Sequence, residues 1–390
     1  MRRLVVWWGL AWVAGCDSAG PGLTEAVDAG ASRDHGGLDG GIDVGRAPDG
    51  GQDAASPDGA PPDPLDATPA DVGVVDALPP DAALPDAALP TCDELDLPLG
   101  SWRNPFDSPQ TASAGDPHHS AVEPTVNPGR GFRFDGKFAY GTFSEDLEGE
   151  TVEVWLRPRT PTCGAWALFG SAVTDGDGRV GVEHPGFMEV GQWDFRMRVP
   201  GDNSRAVGRV RVVPRGRQAV VFDVDGTLTI GDREIFEEVL LGRDPEMYVG
   251  GPAVVQRWYD QGYLVVYMTG RPYFLNPSTR AWLERHGFPE GPVRTTDSIS
   301  QTLPTEDGVQ TYKLNWINHL RDEAGLDFEA AYGNATTDIC AYALANISTD
   351  ATWIIGPHAG ERCDGFAAPH ALVDYPGHLP ELDDLPPANP

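Results

Sequence analysis

The stretch from Gln218 to Thr229 limits the folds open to this chain more than any other. A short apolar run, residues 218–222, has the length and composition of a buried strand, and it stops at Asp223-Val224-Asp225-Gly226-Thr227. An apolar strand that ends in clustered acids is characteristic of an open α/β sheet, which keeps its site at the C-terminal ends of its strands. Two carboxylates that close repel each other unless a cation or a shared proton relieves them. The spacing points to a divalent ion with a preference for oxygen ligands, Mg²⁺. The plainer reading is a strand end followed by an Asp-Gly turn.

The residues that follow supply partners for the two acids. Helical and strand patterns alternate: a helix over 252–261, a buried strand over 263–268 ending in Thr269-Gly270-Arg271-Pro272, and a helix over 276–286 stopped by Gly287. A helix over 309–324 carries Lys313, a strand over 328–332 ends in Gly333-Asn334-Ala335-Thr336-Thr337-Asp338, and a last strand covers 352–355. Such alternation predicts a mainly parallel sheet, with three polar strand ends on one edge. Asp223, Asp225, Thr269, Lys313 and Asp338 would then converge. Each suits phosphoryl transfer: a carboxylate to attack phosphorus, a second to move a proton, a third to complete a metal shell, and a hydroxyl and an ammonium to hold phosphate oxygens.

These residues resemble, in order, the four motifs of haloacid-dehalogenase-like phosphatases. Asp225-Gly226-Thr227-Leu228-Thr229, Thr269-Gly270-Arg271-Pro272, His286-Gly287-Phe288-Pro289 and Tyr332-Gly333-Asn334-Ala335-Thr336-Thr337-Asp338 are similar, more narrowly, to the C-terminal region shared by lipins and Nir-type phosphatidylinositol-transfer proteins. The resemblance covers about 218–375. It implies a Rossmann-like catalytic domain preceded by an immunoglobulin-like β-module. Asp223 would be the nucleophile and Asp225 the acid/base. Thr269, Gly270 and Lys313 would bind phosphate, with Thr227, Arg271 and Asn334 in support. Mg²⁺ would be held by Asp223, the carbonyl of Asp225, and Asp338. Lipins dephosphorylate phosphatidic acid, whereas Nir-type members bind it and lack the first Asp, which this chain keeps. It departs from lipins in Thr269-Gly270-Arg271, where they usually carry Ser-Ala-Arg. With no long insertion between the first two motifs, a large cap domain is not expected; residues 276–310 would supply only a small flap.

Upstream, residues 92–217 carry short alternating strands, as in Thr151-Val152-Glu153-Val154-Trp155-Leu156, separated by turns such as Asp175-Gly176-Asp177-Gly178. This spacing predicts an all-β sandwich. Asp175 and Asp177 are expected in a hairpin turn rather than a calcium site, and His118-His119 in a solvated loop. Arg205, Arg209, Arg211, Arg215 and Arg217 crowd the junction. They would face anionic lipid or phosphate, or balance nearby acids.

The chain has 390 residues and a net charge of −31. So acidic a chain lacks the cationic footprint of a nucleic-acid binder. Residues 17–91 account for −13 of that charge, with 14 Asp and 1 Glu against 2 Arg, and 92–390 carry −20. The 17–91 segment is rich in Asp, Ala, Gly and Pro and is expected to be a disordered linker. Residues 1–15 have the shape of a signal peptide, and Val13-Ala14-Gly15-Cys16 resembles the lipobox of bacterial lipoproteins, which would make Cys16 a lipidated membrane anchor. Four cysteines remain, for which pairing as 92–163 and 340–363 and free buried thiols both stay open.

The expected organisation is therefore a signal (1–15), a lipidated linker (16–91), a β-sandwich (92–217), a haloacid-dehalogenase-like α/β domain (218–375) and a flexible tail (376–390). The expected function is an exported bacterial, lipid-anchored, Mg²⁺-dependent phosphatase acting on phosphatidic acid or a related phosphomonoester, periplasmic or surface-facing. The alternatives are a non-catalytic module that binds phosphatidic acid or phosphoinositide, and a general surface phosphatase.

Overall fold

The computed structural model describes residues 92–141, 144–231, 244–296 and 306–389. The signal segment, Cys16 and the linker lie outside the described residues, as does 297–305 of the flap region.

Alternation of side chains organises the first half. A short helix α1 (Asp107–Ala112) precedes β1 (Ser120–Ala121), β2 (Thr125–Val126), β3 (Phe132–Lys137), β4 (Ala139–Tyr140) and β5 (Glu145–Asp146). β6 (Thr151–Pro158), β7 (Ala167–Val173), β8 (Arg179–His184), β9 (Gly191–Arg198) and β10 (Arg205–Val212) follow. They form a three-stranded sheet, β1-β3-β8, and a five-stranded sheet, β2-β10-β9-β6-β7, with β4 and β5 paired separately. Val152 and Val154 of β6 and Phe195 and Met197 of β9 are fully buried and meet Phe134 and Phe138 in one core. That is a β-sandwich, whose two inner faces interdigitate.

In the second half, β11 (Gln218–Asp223), α2 (Gly251–Asp260), β12 (Leu264–Pro272), α3 (Asn276–Arg285) and β13 (Val293–Thr296) lead to α4 (Glu306–Ala324). Then come β14 (Asp327–Gly333), α5 (Thr336–Leu344), β15 (Thr352–Ile355), β16 (His370–Leu372) and α6 (Tyr375–His378). The six strands pair in the order β13-β12-β11-β14-β15-β16, every pair parallel. β11 is central and faces two cores: Val220 and Phe222 pack on one side with Trp258 and Tyr332, and Ala219 and Val221 on the other with Ile317 and Leu320. A strand buried on both faces must be apolar at every position, which explains the unbroken run ahead of Asp223.

The two halves are joined by polar contacts, some buried and some at the surface. Glu123 is 4% exposed, 2.8 Å from Arg211 of β10 and 3.0 Å from Arg280 of α3. Although burial alone would raise its pKa, the two guanidiniums hold Glu123 below the usual carboxylate range. The Asn127 amide donates to the carbonyls of Val213 and Ala324, and Arg130 pairs with Glu323 at 2.6 Å. Two more of the junction arginines also meet acids: Arg205 meets Glu94, and Arg209 meets Asp194 and Glu290. For these residues, charge balance among neighbouring acids is what the structure shows.

Several expectations are corrected here. β13 and β16 are additional edge strands, too short to announce themselves by period. The tail is docked rather than loose: Leu382 is buried, Leu379, Leu385 and Ala388 pack on the core, and the Ala388 amide donates to Gln261. For the four cysteines, where two readings stood open, the structure bears out the pairing Cys92–Cys163 and Cys340–Cys363. His119 does not lie in a solvated loop. It is 3% exposed, packed against Phe138 and Tyr140, with Nδ1 accepting the Ala139 amide and Nε2 beside Ser204 Oγ.

Burial pushes the His119 imidazole down to about 3 from 6.5, against the pull of Asp202. The unfolded chain therefore takes up a proton that the folded one refuses as pH falls through 6.5 toward 3. Stability should fall by about 1.4 kcal/mol per pH unit in that window through this group. Urea denaturation from neutral to acid pH checks it: His119→Gln keeps an acceptor and a donor, and should flatten the slope by that amount.

Candidate functional site

The loop after β11 is built tightly. The amides of Leu228 and Thr229 both donate to the Val224 carbonyl, the Gly226 amide donates to Thr229 Oγ1, and Gly226 takes a φ of 74° that favours glycine. This turn leaves Asp223 buried at 2% exposure while Asp225 reaches the surface side of the same edge.

Two groups of side chains result. In the first, the Lys313 ammonium, carried by α4 and 4% exposed, donates to Asp223 Oδ1 at 2.7 Å and to Asp338 Oδ1 at 2.5 Å. Thr227 Oγ1 lies 3.1 Å from both Asp223 Oδ2 and Asn334 Oδ1. Asp338 stands in the first turn of α5, where its Oδ2 accepts the amides of Asn334 and Ala335 and the helix dipole favours a negative charge. Gly333 is required by proximity, since a Cβ there would stand 2.5 Å from the Asp338 Cβ. In the second group, Thr269 Oγ1 donates to Asp225 Oδ2 at 2.5 Å. Arg271 donates to Asp225 Oδ1 from Nε at 2.9 Å, with Nη2 at 2.8 Å, while its Nη1 reaches Thr279 of α3. Gly270 borders open space.

The electrostatics follow from burial. Asp223 is raised well above the usual carboxylate range by burial, which outweighs Lys313, with Asp338 and Asp225 adding repulsion. Burial opposes the charge on Lys313 too, but Asp223 and Asp338 overcome it and raise its pKa. The ammonium is thus retained, and it is one of only two lysines in the chain.

All the residues expected at the site lie on the C-terminal edge of the parallel sheet or beside it: Asp223, Thr227, Lys313, Asn334 and Asp338 together, and Asp225 with Thr269, Gly270 and Arg271. Cys16 lies outside the described residues. Thr229 and Thr279, which brace the turn and Arg271, were not anticipated; their hydroxyls become legible only once the loop and α3 are folded. The oxygen chemistry of Asp223, Asp225 and Asp338 suits Mg²⁺, but in this arrangement every one of their six carboxylate oxygens already accepts a donor. Among the described residues no group of three or more His, Cys, Asp or Glu is arranged to hold a metal ion. A dication held by Asp223, the carbonyl of Asp225 and Asp338 would enter by taking carboxylate oxygens from Lys313.

Comparison with known proteins shows what this architecture resembles. Residues 220–356 match the LNS2 domain of PITM 1-3, and residues 117–212 match the PITM 1-3 beta-sandwich domain. Both halves match domains of one kind of protein. The membrane-associated phosphatidylinositol transfer protein 1 of Rattus norvegicus is 35% identical over 242 residues, which is 61% of this chain and 18% of that protein. Protein retinal degeneration B of Drosophila melanogaster is 31% identical over 261 residues, 64% of this chain and 20% of its own length. The chain thus spans about a fifth of these relatives. A beta-glucosidase structure from Listeria innocua overlaps 25% of this chain and 16% of its own at 13% identity and a TM-score of 0.19, which carries no argument.

These relatives overturn the expectation of an exported, lipid-anchored bacterial phosphatase in the periplasm or at the cell surface. They are animal proteins, and the rat protein is named for phosphatidylinositol transfer and membrane association, not for hydrolysis. No helix among the described residues is long and apolar enough to cross a membrane.

Proposed function

We propose that this chain is a non-catalytic module that binds the phosphate of an anionic phospholipid headgroup, phosphatidic acid or a phosphoinositide, at a membrane surface. The observation that carries the reading is the paired match. One chain carries, in order, a β-sandwich and an LNS2 segment similar to those of membrane-associated phosphatidylinositol transfer proteins. The geometry supports it through the open space beside Gly270, next to the Thr269 hydroxyl and on the same edge as the buried Lys313 ammonium. A hydroxyl and a retained ammonium are donors suited to phosphate oxygens. The α/β half is then a haloacid-dehalogenase-type sheet behind an immunoglobulin-like sandwich, its strand-end residues turned to binding.

In this reading Thr269, Gly270 and Lys313 hold the phosphate, while Thr227, Arg271 and Asn334 keep Asp223, Asp225 and the loop in place. Mg²⁺ at Asp223, Asp225 and Asp338 is the accompanying proposal. Vesicle flotation tests both. The full chain should float with phosphatidylcholine vesicles containing phosphatidic acid, release no inorganic phosphate, and bind more tightly with Mg²⁺ than with chelator. Release of phosphate from the lipid would overturn the non-catalytic reading, and equal binding with chelator would remove the metal.

A further inference from the structure

A chain that docks on anionic lipid commonly does so with a basic surface. This one cannot. Residues 92–390 carry a net charge of −20, Lys313 is buried at the site, and Lys137 is buried against Asp146. Arg205, Arg209 and Arg211 of the sandwich junction are paired with carboxylates, as are Arg130, Arg257, Arg271, Arg280 and Arg285. A chain this acidic gains from a further means of meeting a headgroup in a bilayer.

Exposed apolar side chains on the α/β half supply one. Among the described residues of that half, the large hydrophobics left exposed are Ile230 at 48%, Val249 at 77%, Val373 at 89% and Leu344 at 42%. Leu344 ends α5, which runs back toward the opposite edge. The other three lie on the site edge. Ile230 follows the turn after β11, and its amide donates to the Glu246 carbonyl. Val249 sits between Tyr248, whose amide donates to Leu228, and Gly250, which backs onto Pro376. Val373 is the first residue after β16, three before that proline, and the intervening Tyr375 hydroxyl donates to the Thr227 carbonyl. Three segments distant in sequence thus bring aliphatic side chains to one rim, tied by hydrogen bonds to the loop that carries Asp223 and Asp225.

We infer that the molecule meets a lipid bilayer through an apolar contact made by Ile230, Val249 and Val373, which seats the headgroup site against the membrane. The inference rests on the headgroup reading above for its occupant. Aliphatic side chains entering the interfacial region gain burial without requiring basic charge. The acidic surroundings restrict attraction to the single headgroup in the site, so binding should survive high salt, where a polybasic contact would be screened away.

The test uses the full chain carrying Ile230→Ser, Val249→Ser and Val373→Ser together, with Leu344→Ser as a control for loss of an exposed aliphatic elsewhere. The probes are phosphatidylcholine vesicles with and without phosphatidic acid, and soluble glycerol 3-phosphate. Burial of three such side chains supports an expected loss of about 100-fold or more in affinity for the phosphatidic-acid vesicles. Glycerol 3-phosphate affinity and thermal midpoint should stay unchanged, and Leu344→Ser should bind as the parent does. If the triple variant floats like the parent, the rim contact is wrong while the headgroup reading stands. If the parent floats equally well without phosphatidic acid and the triple variant does not, the rim contact stands and the headgroup reading falls. A parent chain that floats with neither vesicle overturns the rim contact.

Discussion

Lys313→Met should abolish headgroup binding and destabilise the fold more than any other single change at the site. The methionine retains the apolar stem but removes the ammonium that lies between Asp223 and Asp338, both nearly inaccessible to water. Removing one partner of a buried ion pair leaves an uncompensated charge and costs about 3–5 kcal/mol. The pH dependence gives the change a signature. The folded pKa of Asp223 already lies above its unfolded value, so its contribution is favourable below the unfolded pKa and is lost as pH rises through the folded one. Without Lys313 that rise should be larger, and the variant should gain stability from mildly alkaline to mildly acid pH, opposite in sign to the His119 effect. Urea denaturation at two pH values, with Lys313→Arg as the charge-retaining comparison, checks the claim. Equal stability of Lys313→Met at both would contradict it.

Glu123→Gln should produce the second large effect, at the seam between the halves. Its carboxylate is fully enclosed by Arg211 of the sandwich and Arg280 of α3. The buried guanidinium of Arg211 and the half-buried one of Arg280 lose their shared counter-charge, at about 3–5 kcal/mol. The exposed pair Arg130–Glu323 provides a comparison on the same seam: Arg130→Ala should cost about 0–1 kcal/mol. Replacing Glu123, Arg211 and Arg280 together by leucine and methionines should recover most of the loss, because the desolvation penalty disappears with the charges. Denaturant midpoints for the parent and these three variants decide it; a Glu123→Gln chain as stable as Arg130→Ala would show that the triad does not hold the halves together.

Much of the second half was legible because its strands run parallel and are covered on both faces. The unbroken run ahead of Asp223 and the polar stops at Thr269 and Asp338 place those residues on one edge by topology alone. What the sequence did not reveal depends on tertiary contact. β13 and β16 are three or four residues long and exist by pairing with β12 and β15. The residues after 375 read as a loose Pro-rich end, yet Leu379 and Leu382 find an apolar surface provided by α2 and the sheet. His119 reads as half of a surface His pair, and only the packed Phe138 and Tyr140 make it a neutral core residue. The arginine row before β11 is ambiguous in sequence because its carboxylate partners, Glu94, Glu123, Asp194 and Glu290, are scattered along the chain. The same holds for Lys313: α4 periodicity places it on a helix, but only the fold shows its ammonium filling the space between two acids.

The central claim is that one buried ammonium meets the phosphate of a headgroup. The chain contains only Lys137 and Lys313, so a protein labelled with isotopic lysine gives two side-chain ammonium signals. On titration with short-chain phosphatidic acid, the Lys313 signal should move in a saturable way while that of Lys137 stays fixed and no free phosphate accumulates. A Lys313 signal that stays in place at saturating lipid, or phosphate released as it moves, would contradict the account.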